Sequence, residues 1–408
     1  MTKCRFCDAP LAREFVDLGA TPLANSYLPD TPEAKQAECA FPLRVMVCED
    51  CWLVQTTETV PADAIFDHDY AYLSSFSSGW VEHARKYADA MIARFDLGAQ
   101  SRVVEIASND GYLLQWFVKA GIPVLGIEPA GHAAELAEQK GVTTRVAFFG
   151  TQTAREVLGE HGPVNLIAAN NVLAHVPDIR DFAKGFATLL AKRGVVTFEF
   201  PHLANLIRLG QFDTIYHEHY SYLSLLFVER LLGEVGLQLF DVEALPTHGG
   251  SLRVFAGFPN VHDRTGALDT MRTQEAAMGL ASAAPYKAFQ STVAGLTADL
   301  RSFLDRAHAE GKVVAAYGAP AKGNTFLNVA GITAEDIAFT VDRNPEKQGT
   351  LLPGSHIPVR APDHIAQVRP DYVLILPWNL SDEIAEQQAG IRDWGGQFVT
   401  AVPELRVF

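Results

Sequence analysis

At 408 residues the chain is longer than one ordinary core, so two or three domains are expected. The 48% hydrophobic content supports packed units, while a formal charge of −15 disfavours a nucleic-acid partner, which needs lysine and arginine against phosphate. No apolar run approaches a membrane span and the start MTKCRFCDAPLAREF lacks the stretch of a secretory signal, so a cytoplasmic enzyme of small molecules with no membrane partner is expected.

The N-terminal region carries two cysteine pairs, Cys4-x-x-Cys7 and Cys48-x-x-Cys51, forty residues apart. Each pair forms a knuckle that aims two thiolates at one ion, and two knuckles complete a tetrahedral site. Redox pairs or disulfides are the alternative, which a cytoplasmic setting disfavours. A structural Zn2+ held by four sulfurs leaves no open position for catalysis, so it would fold a small module with little core of its own. Cys39 is left over and is expected as a buried apolar residue.

From residue 101 the pattern alternates between strand and helix. SRVVEIASNDG is an apolar strand closed by a small, polar turn, and YLLQWFVKAG has helical spacing. PVLGIEPA, TTRVAFFG, VNLIAANNVLAHV and GVVTFEFPH continue the series, which predicts a parallel sheet with helices on both faces. A helix is expected near 224–236, followed by two strands about a short loop in LQLFDVEALPTHGGSLRVFAG, an antiparallel edge. Residues 261–309 read as a helical connector, and KVVAAYGAPAKGNTFLNVAG opens a smaller unit with further strands in IAFTVDRNP and DYVLILPWN. The fold class is thus α/β: a zinc-binding module at 1–68, a Rossmann-like central sheet at 69–260, the connector, and a Rossmann-like C-terminal domain at 310–408.

The turn in VVEIASNDGYLL lies at the carboxyl end of the first parallel strand, where open α/β sheets bind ligands. Glu105, Ala107, Asn109 and Gly111 resemble the E-x-G-x-G-x-G first motif of class I S-adenosylmethionine-dependent methyltransferases, with Ala107 and Asn109 where glycines are common. Glu128 in GIEPA ends the next strand about twenty residues on, where an acid can bind ribose hydroxyls. Phe148 or Phe149 is a candidate to pack on adenine or, equally, a core aromatic, and Asn170 with Asn171 would line the methyl-donor pocket.

Together the cysteine knuckles, FDHDYAYLSSFSSGWVEHARKYAD, EIASNDG, IYHEHYSYLS, THGGSLRV and YGAPAKGNT resemble the sugar C-methyltransferases that act on nucleotide-linked keto-deoxysugars, over essentially the whole chain and in the same order. The resemblance implies C-methylation beside a ketone, at C-3 next to a C-4 ketone, with S-adenosylmethionine as donor. Carbon must first lose a proton to give an enolate, so a base and an oxyanion stabiliser are required. The resemblance assigns the base to His219, with Glu218 as its orienting or substrate-binding partner and Tyr216 and Tyr70 as hydroxyl donors; His175 is a candidate for the pocket wall. A metal on His217 and His219, or a purely structural Tyr/His cluster, is the alternative for this segment.

In YGAPAKGNT the small-residue turn, its amides and Lys322 can meet a phosphate, or the turn is a ligand-free vestige of a dinucleotide fold. With the resemblance, Tyr317, Lys322 and Asn324 are placed near the nucleotide diphosphate of the sugar, and His248 and Ser251 border the same cleft. Arg253 could equally form a surface ion pair. Methylation of oxygen or nitrogen, or a non-catalytic zinc-containing scaffold, are the rival functions. A monomer is expected for a chain that carries its own accessory domains.

Overall fold

The computed structural model describes residues 2–57 and 73–408. Four short strands open the chain: β1 (Arg13–Thr21), β2 (Leu28–Pro29), β3 (Phe41–Val47) and β4 (Val54–Thr56). The helix Ser78–Phe95 follows, its first turn capped by the Ser77 hydroxyl accepting from the Trp80 amide.

The central domain runs through β5 (Val103–Ile106), β6 (Val124–Glu128), β7 (Thr144–Val146), β8 (Val164–Asn170) and β9 (Leu190–Pro201). Short β10 (Ser221–Tyr222) pairs outside this sheet, and β11 (Gln238–Leu245) and β12 (Ser251–Gly257) complete it. The sheet order is β11-β12-β9-β8-β5-β6-β7, and all ladders from β9 to β7 are parallel. Every residue of β5 is buried, as expected of a strand covered on both faces. Only β12 runs against the others: it pairs antiparallel with both β9 and β11, so the expected antiparallel edge is one reversed strand inserted before the last.

The connector consists of helices Gly266–Met278, Ala284–Lys287 and Phe289–Ala309. Beyond it lie β13 (Val314–Tyr317), β14 (Thr340–Val341), β15 (Thr350–Leu351), β16 (Val359–Arg360), β17 (Tyr372–Ile375), β18 (Gln397–Thr400) and β19 (Arg406–Val407). Six of these form the sheet β16-β14-β13-β17-β18-β19, parallel except at β19, while β15 pairs with β2.

The N-terminal module has no isolated core. Its cysteine end packs into the central domain, with Phe6 edge-on to Phe227 at 5.1 Å. Its opposite face joins the connector and C-terminal domain, where Phe15 stacks on Phe289 at 4.4 Å. The two faces bury apolar surface that a small unit cannot bury alone. One ladder completes the union: β10, from the histidine-rich segment, is the fourth strand of the N-terminal sheet, with Ser221 opposite Gln55 and Tyr222 opposite Val54. Cys39, expected in the core, is exposed, because it lies in the loop between the helix Pro32–Ala37 and β3 and no element covers it.

Candidate active site

The turn expected to hold the methyl donor follows β5. Ala107, Asn109 and Gly111 all take left-handed angles, φ 56°, 49° and 75°, so alternate positions adopt the conformation that glycine adopts most easily. Gly111 also has no room for a side chain without crowding, since a Cβ there would lie 3.2 Å from Ala137 and Val142. The Glu128 carboxylate spans the gap between strand ends, accepting the Asn109 amide on one oxygen and the Ala130 amide on the other, each at 2.9 Å. Burial raises its pKa, against those two bonds.

Around this turn lie polar atoms with no hydrogen-bond partner among the described residues. They are Asn170 Oδ1, both amide atoms of Asn171, Ser108 Oγ and Glu105 Oε2. Buried polar atoms are normally satisfied, so this group fits a polar ligand at the end of the sheet. Burial pushes the Glu105 carboxyl well above its ordinary value, opposed by a bond from Tyr112. Phe149 packs on Phe182 and Phe186 and belongs to the core, whereas Phe148 stays exposed.

The histidine-rich segment forms a turn rather than a strand, so its two histidines do not share a face. His217 points to the N-terminal module, its Nε2 within 3.1 and 3.2 Å of the Phe41 and Pro42 carbonyls. His219 points the other way. Its Nδ1 lies 2.8 Å from the Thr214 carbonyl, which can only accept, so Nδ1 carries the proton and Nε2 is left as the basic nitrogen. The Tyr216 ring lies at 4.0 Å from the His219 ring and His175 at 4.6 Å. Burial, then the neighbouring His175, holds the His219 pKa well below 6.5.

Glu218 is not what orients that imidazole: its carboxylate accepts from Asn25 Nδ2 at 2.6 Å, tying the turn to the N-terminal module. His248, at φ 54°, lies with its ring tilted 60° to that of Trp80 at 5.2 Å, and burial together with the Lys322 charge lowers its pKa to about 4. Lys322 and His248 also act on His219 electrostatically, so the three buried side chains lie in one neighbourhood, and Tyr70 alone of the proposed catalytic residues lies outside the described residues.

The C-terminal domain docks beside the histidine-rich segment through Trp378, whose Nε1 donates to Asp213 Oδ2 at 2.7 Å. A Cβ on Gly249 would come within 2.4 Å of the Trp378 ring, so the glycine pair of THGG lets the two domains meet. Lys322 donates to Asn379 at 2.6 Å and lies 5.1 Å from the Trp378 ring, and burial lowers its pKa. The pairing of Trp378 with Asp213 is not legible in the sequence, because it depends on the docking of segments 165 residues apart.

The remaining expected contacts divide. Asn324 is fully buried and its Nδ2 donates to the Ala24 carbonyl at 2.6 Å, which ties the C-terminal domain to the N-terminal module. Tyr317 ends β13 buried, beside Arg343 and Asp342. In the adjacent turn, the Ala319 amide is already bonded to Asp342 Oδ2 at 2.7 Å, and its carbonyl accepts from Tyr27 and Lys347. Ser251 bonds back to the Thr247 carbonyl. Arg253 is a buried rather than surface ion pair, 3.0 Å from Glu199 and 2.9 Å from Glu243, with its guanidinium 4.8 Å from the Tyr87 ring.

The four cysteines converge as their spacing requires. Cys4 and Cys51 sulfurs lie 3.6 Å apart, Cys7 and Cys48 3.4 Å, and all four fall within 4.8 Å of one another. Zinc–sulfur bonds of about 2.3 Å in a tetrahedron place sulfurs roughly 3.8 Å apart, so the donor set fits Zn2+. It is the only such cluster among the described residues.

A sheet with one reversed strand before its last, a left-handed turn after its first and an acid after its second is the class I S-adenosylmethionine-dependent methyltransferase fold. Family models match in the same order: a zinc binding domain at 4–66, a methyltransferase domain at 80–242 and a C-methyltransferase C-terminal domain at 246–403. C-methyltransferase NovU of Streptomyces niveus is 37% identical over 99% of this chain and 96% of its own length. The chain belongs to this family of zinc-containing, S-adenosylmethionine-dependent C-methyltransferases. Ubiquinone biosynthesis O-methyltransferase of Ralstonia nicotianae is 30% identical over 26% of this chain and 44% of its own. Magnesium protoporphyrin IX methyltransferase of Synechocystis, solved with S-adenosylmethionine, is 15% identical over 49% of this chain and 98% of its own, with a TM-score of 0.36.

Proposed function

We propose that this C-methyltransferase acts on the carbon beside a ketone of a nucleotide-linked deoxysugar, at C-3 of a 4-keto sugar, with His219 as the base. The observation that carries the base assignment is the Nδ1–Thr214 bond, which leaves Nε2 as the proton acceptor in a cleft shared with His175, His248, Tyr216 and Lys322.

His219 Nε2 takes the proton from the carbon acid, and the C–H electron pair passes into the enolate. Tyr216 and Tyr70 donate hydroxyls to the developing oxyanion, while His175 and His248 line the wall. S-adenosylmethionine, when bound, supplies an electrophilic methyl on a sulfonium, and Glu128, Asn170 and Asn171 would hold it beside the turn of Ala107, Asn109 and Gly111. The lowered pKa of His219 keeps it neutral before reaction, as a base must be. Lys322 and Tyr317 face the nucleotide diphosphate, whose negative charge would offset the cost of the buried ammonium.

Residues 1–68, 69–260, 261–309 and 310–408 serve respectively as zinc module, donor domain, connector and sugar-nucleotide domain, in a monomeric cytoplasmic enzyme. A panel of nucleotide-linked 4-keto sugars, assayed by mass for a gain of one methylene, tests the substrate class. Exchange of the C-3 hydrogen in deuterium oxide tests the mechanism, since oxygen or nitrogen methylation needs no carbon acid. The exchange is followed with the methyl donor left out, so that the enolate is reprotonated by solvent; a product carrying its new methyl on oxygen or nitrogen rather than on C-3 refutes the C-methylation.

A further inference from the structure

Between the first two zinc-site cysteines lies Arg5, and its side chain reaches the segment that carries His219. Its Nη1 donates to the Tyr220 carbonyl at 2.5 Å and its Nη2 to the Thr56 carbonyl at 2.8 Å, so one planar fork clamps the last residue of β4 and the residue after His219. The guanidinium also lies 5.4 Å from the Tyr220 ring. Tyr220 is fully buried, and its amide donates to the Ala174 carbonyl, next to His175.

The knuckle holds Arg5 in turn. The Arg5 amide donates to Gln55 Oε1 at 2.9 Å, and Gln55 Nε2 donates to the Cys4 sulfur at 3.1 Å. Gln55 is buried, and it is the register partner of Ser221 on β10. Two routes therefore run from the cysteine cluster to the backbone of 219–221, one through the guanidinium and one through Gln55. A guanidinium is not deprotonated in proteins, so both bonds of the fork are charge-assisted.

We propose that Arg5 is a positioning residue through which the zinc knuckle sets the place of His219, so the module serves proton abstraction as well as folding. This rests on His219 as the base. Donor binding lies on β5, β6 and β8 and does not pass through Arg5, so loss of the clamp should separate the two functions. A misplacement of about 1 Å at a reacting group costs on the order of 100-fold in rate.

The experiment compares Arg5→Ala, Arg5→Lys and His219→Asn with the zinc-loaded full chain. Readouts are zinc content, calorimetric S-adenosylmethionine affinity, kcat and C-3 deuterium exchange on whichever nucleotide-linked 4-keto sugar is methylated, and amide hydrogen exchange of the 213–224 peptide. Arg5→Ala should keep one zinc and the donor affinity, lose about 100-fold in both kcat and C-3 exchange, and show faster amide exchange at 213–224 but not at 103–115. Arg5→Lys, which keeps the charge without the fork, should recover about 10-fold of that loss.

Wild-type kcat and amide exchange in Arg5→Ala, with His219→Asn inactive in C-3 exchange, overturns the positioning role alone. Retained C-3 exchange in His219→Asn overturns the base assignment and with it this inference. If Arg5→Ala loses zinc or fold, Arg5→Lys decides: wild-type kcat and 213–224 exchange rates in it overturn the proposal.

Discussion

His219 Nδ1 and the Thr214 carbonyl lie 2.8 Å apart, and this one bond selects the tautomer of the imidazole. A carbonyl oxygen has lone pairs and no proton, so the opposite nitrogen must be the basic one. The bond is five residues local, yet it forms only because the 213–224 segment turns back between the N-terminal module and the central sheet.

Replacing His219 by Asn keeps a donor for Thr214 but removes the base. The expected result is a loss of about 10²- to 10⁴-fold in kcat, the usual contribution of a general base. Donor affinity by calorimetry should be unchanged, because among the described residues His219 bonds to the Thr214 carbonyl and not to the turn at 107–111. A variant with wild-type kcat sinks the assignment.

Acidification should cost both rate and stability. His175 and His248 are lowered to about 4 and His219 well below 6.5, with burial the largest cause each time. In the unfolded chain these groups protonate near 6.5, so below that pH the unfolded state binds more protons and stability falls as pH falls, across the window from about 6.5 to about 4. Each of His175 and His248 should contribute roughly 1–2 kcal/mol of that loss by about pH 5. Thermal melting at pH 7 and pH 5 checks it, and the acid limb of kcat/KM should lie below about 6.5; a limb above 7 would contradict the lowered His219.

Glu128→Ala removes the acceptor for two backbone amides at the donor turn. Losing charge-assisted bonds of about 1.5–3 kcal/mol should weaken donor affinity by roughly 10- to 100-fold. Calorimetry with S-adenosylmethionine measures this, and an unchanged Kd would show that the carboxylate only closes the turn.

Arg253→Ala leaves the Glu199 carboxylate fully buried, with His83 3.0 Å away, after the loss of its guanidinium partner. Breaking one side of such a pair costs about 3–5 kcal/mol. Denaturant unfolding should show it, and Arg253→Lys should recover only part because the second bond, to Glu243, needs the fork.

Zinc removal is expected to destabilise the whole chain rather than the first module alone, since Phe6 and Phe15 pack into two different cores. A chelator titration followed by calorimetry should lower and broaden the main transition. One zinc per chain should be measured by atomic absorption, and Cys48→Ser should abolish it.

Much of this architecture could be read from local pattern. The apolar runs 103–106, 124–128 and 164–170 are strands because a parallel sheet buries both faces, and that demand is written into each short stretch. Ala107 and Asn109 could be recognised at left-handed positions from spacing to Glu105 and Gly111, and the cysteine knuckles from their own separation. Such features depend on residues within a few positions, so one stretch of sequence contains the whole constraint.

Other assignments could not be made that way. That Glu218 bonds Asn25, that Asn324 bonds Ala24, that Arg253 is buried against Glu199 and that Trp378 meets Asp213 are contacts between segments 54 to 300 residues apart. Each of these side chains can find a partner on several surfaces, and only the packing of three domains selects one. The chain's composition and motifs specify a zinc knuckle and a parallel sheet with its glycine-like turn; where the His219 ring points is decided by tertiary structure, because the segment that carries it runs into the fourth strand of a sheet that begins at residue 13.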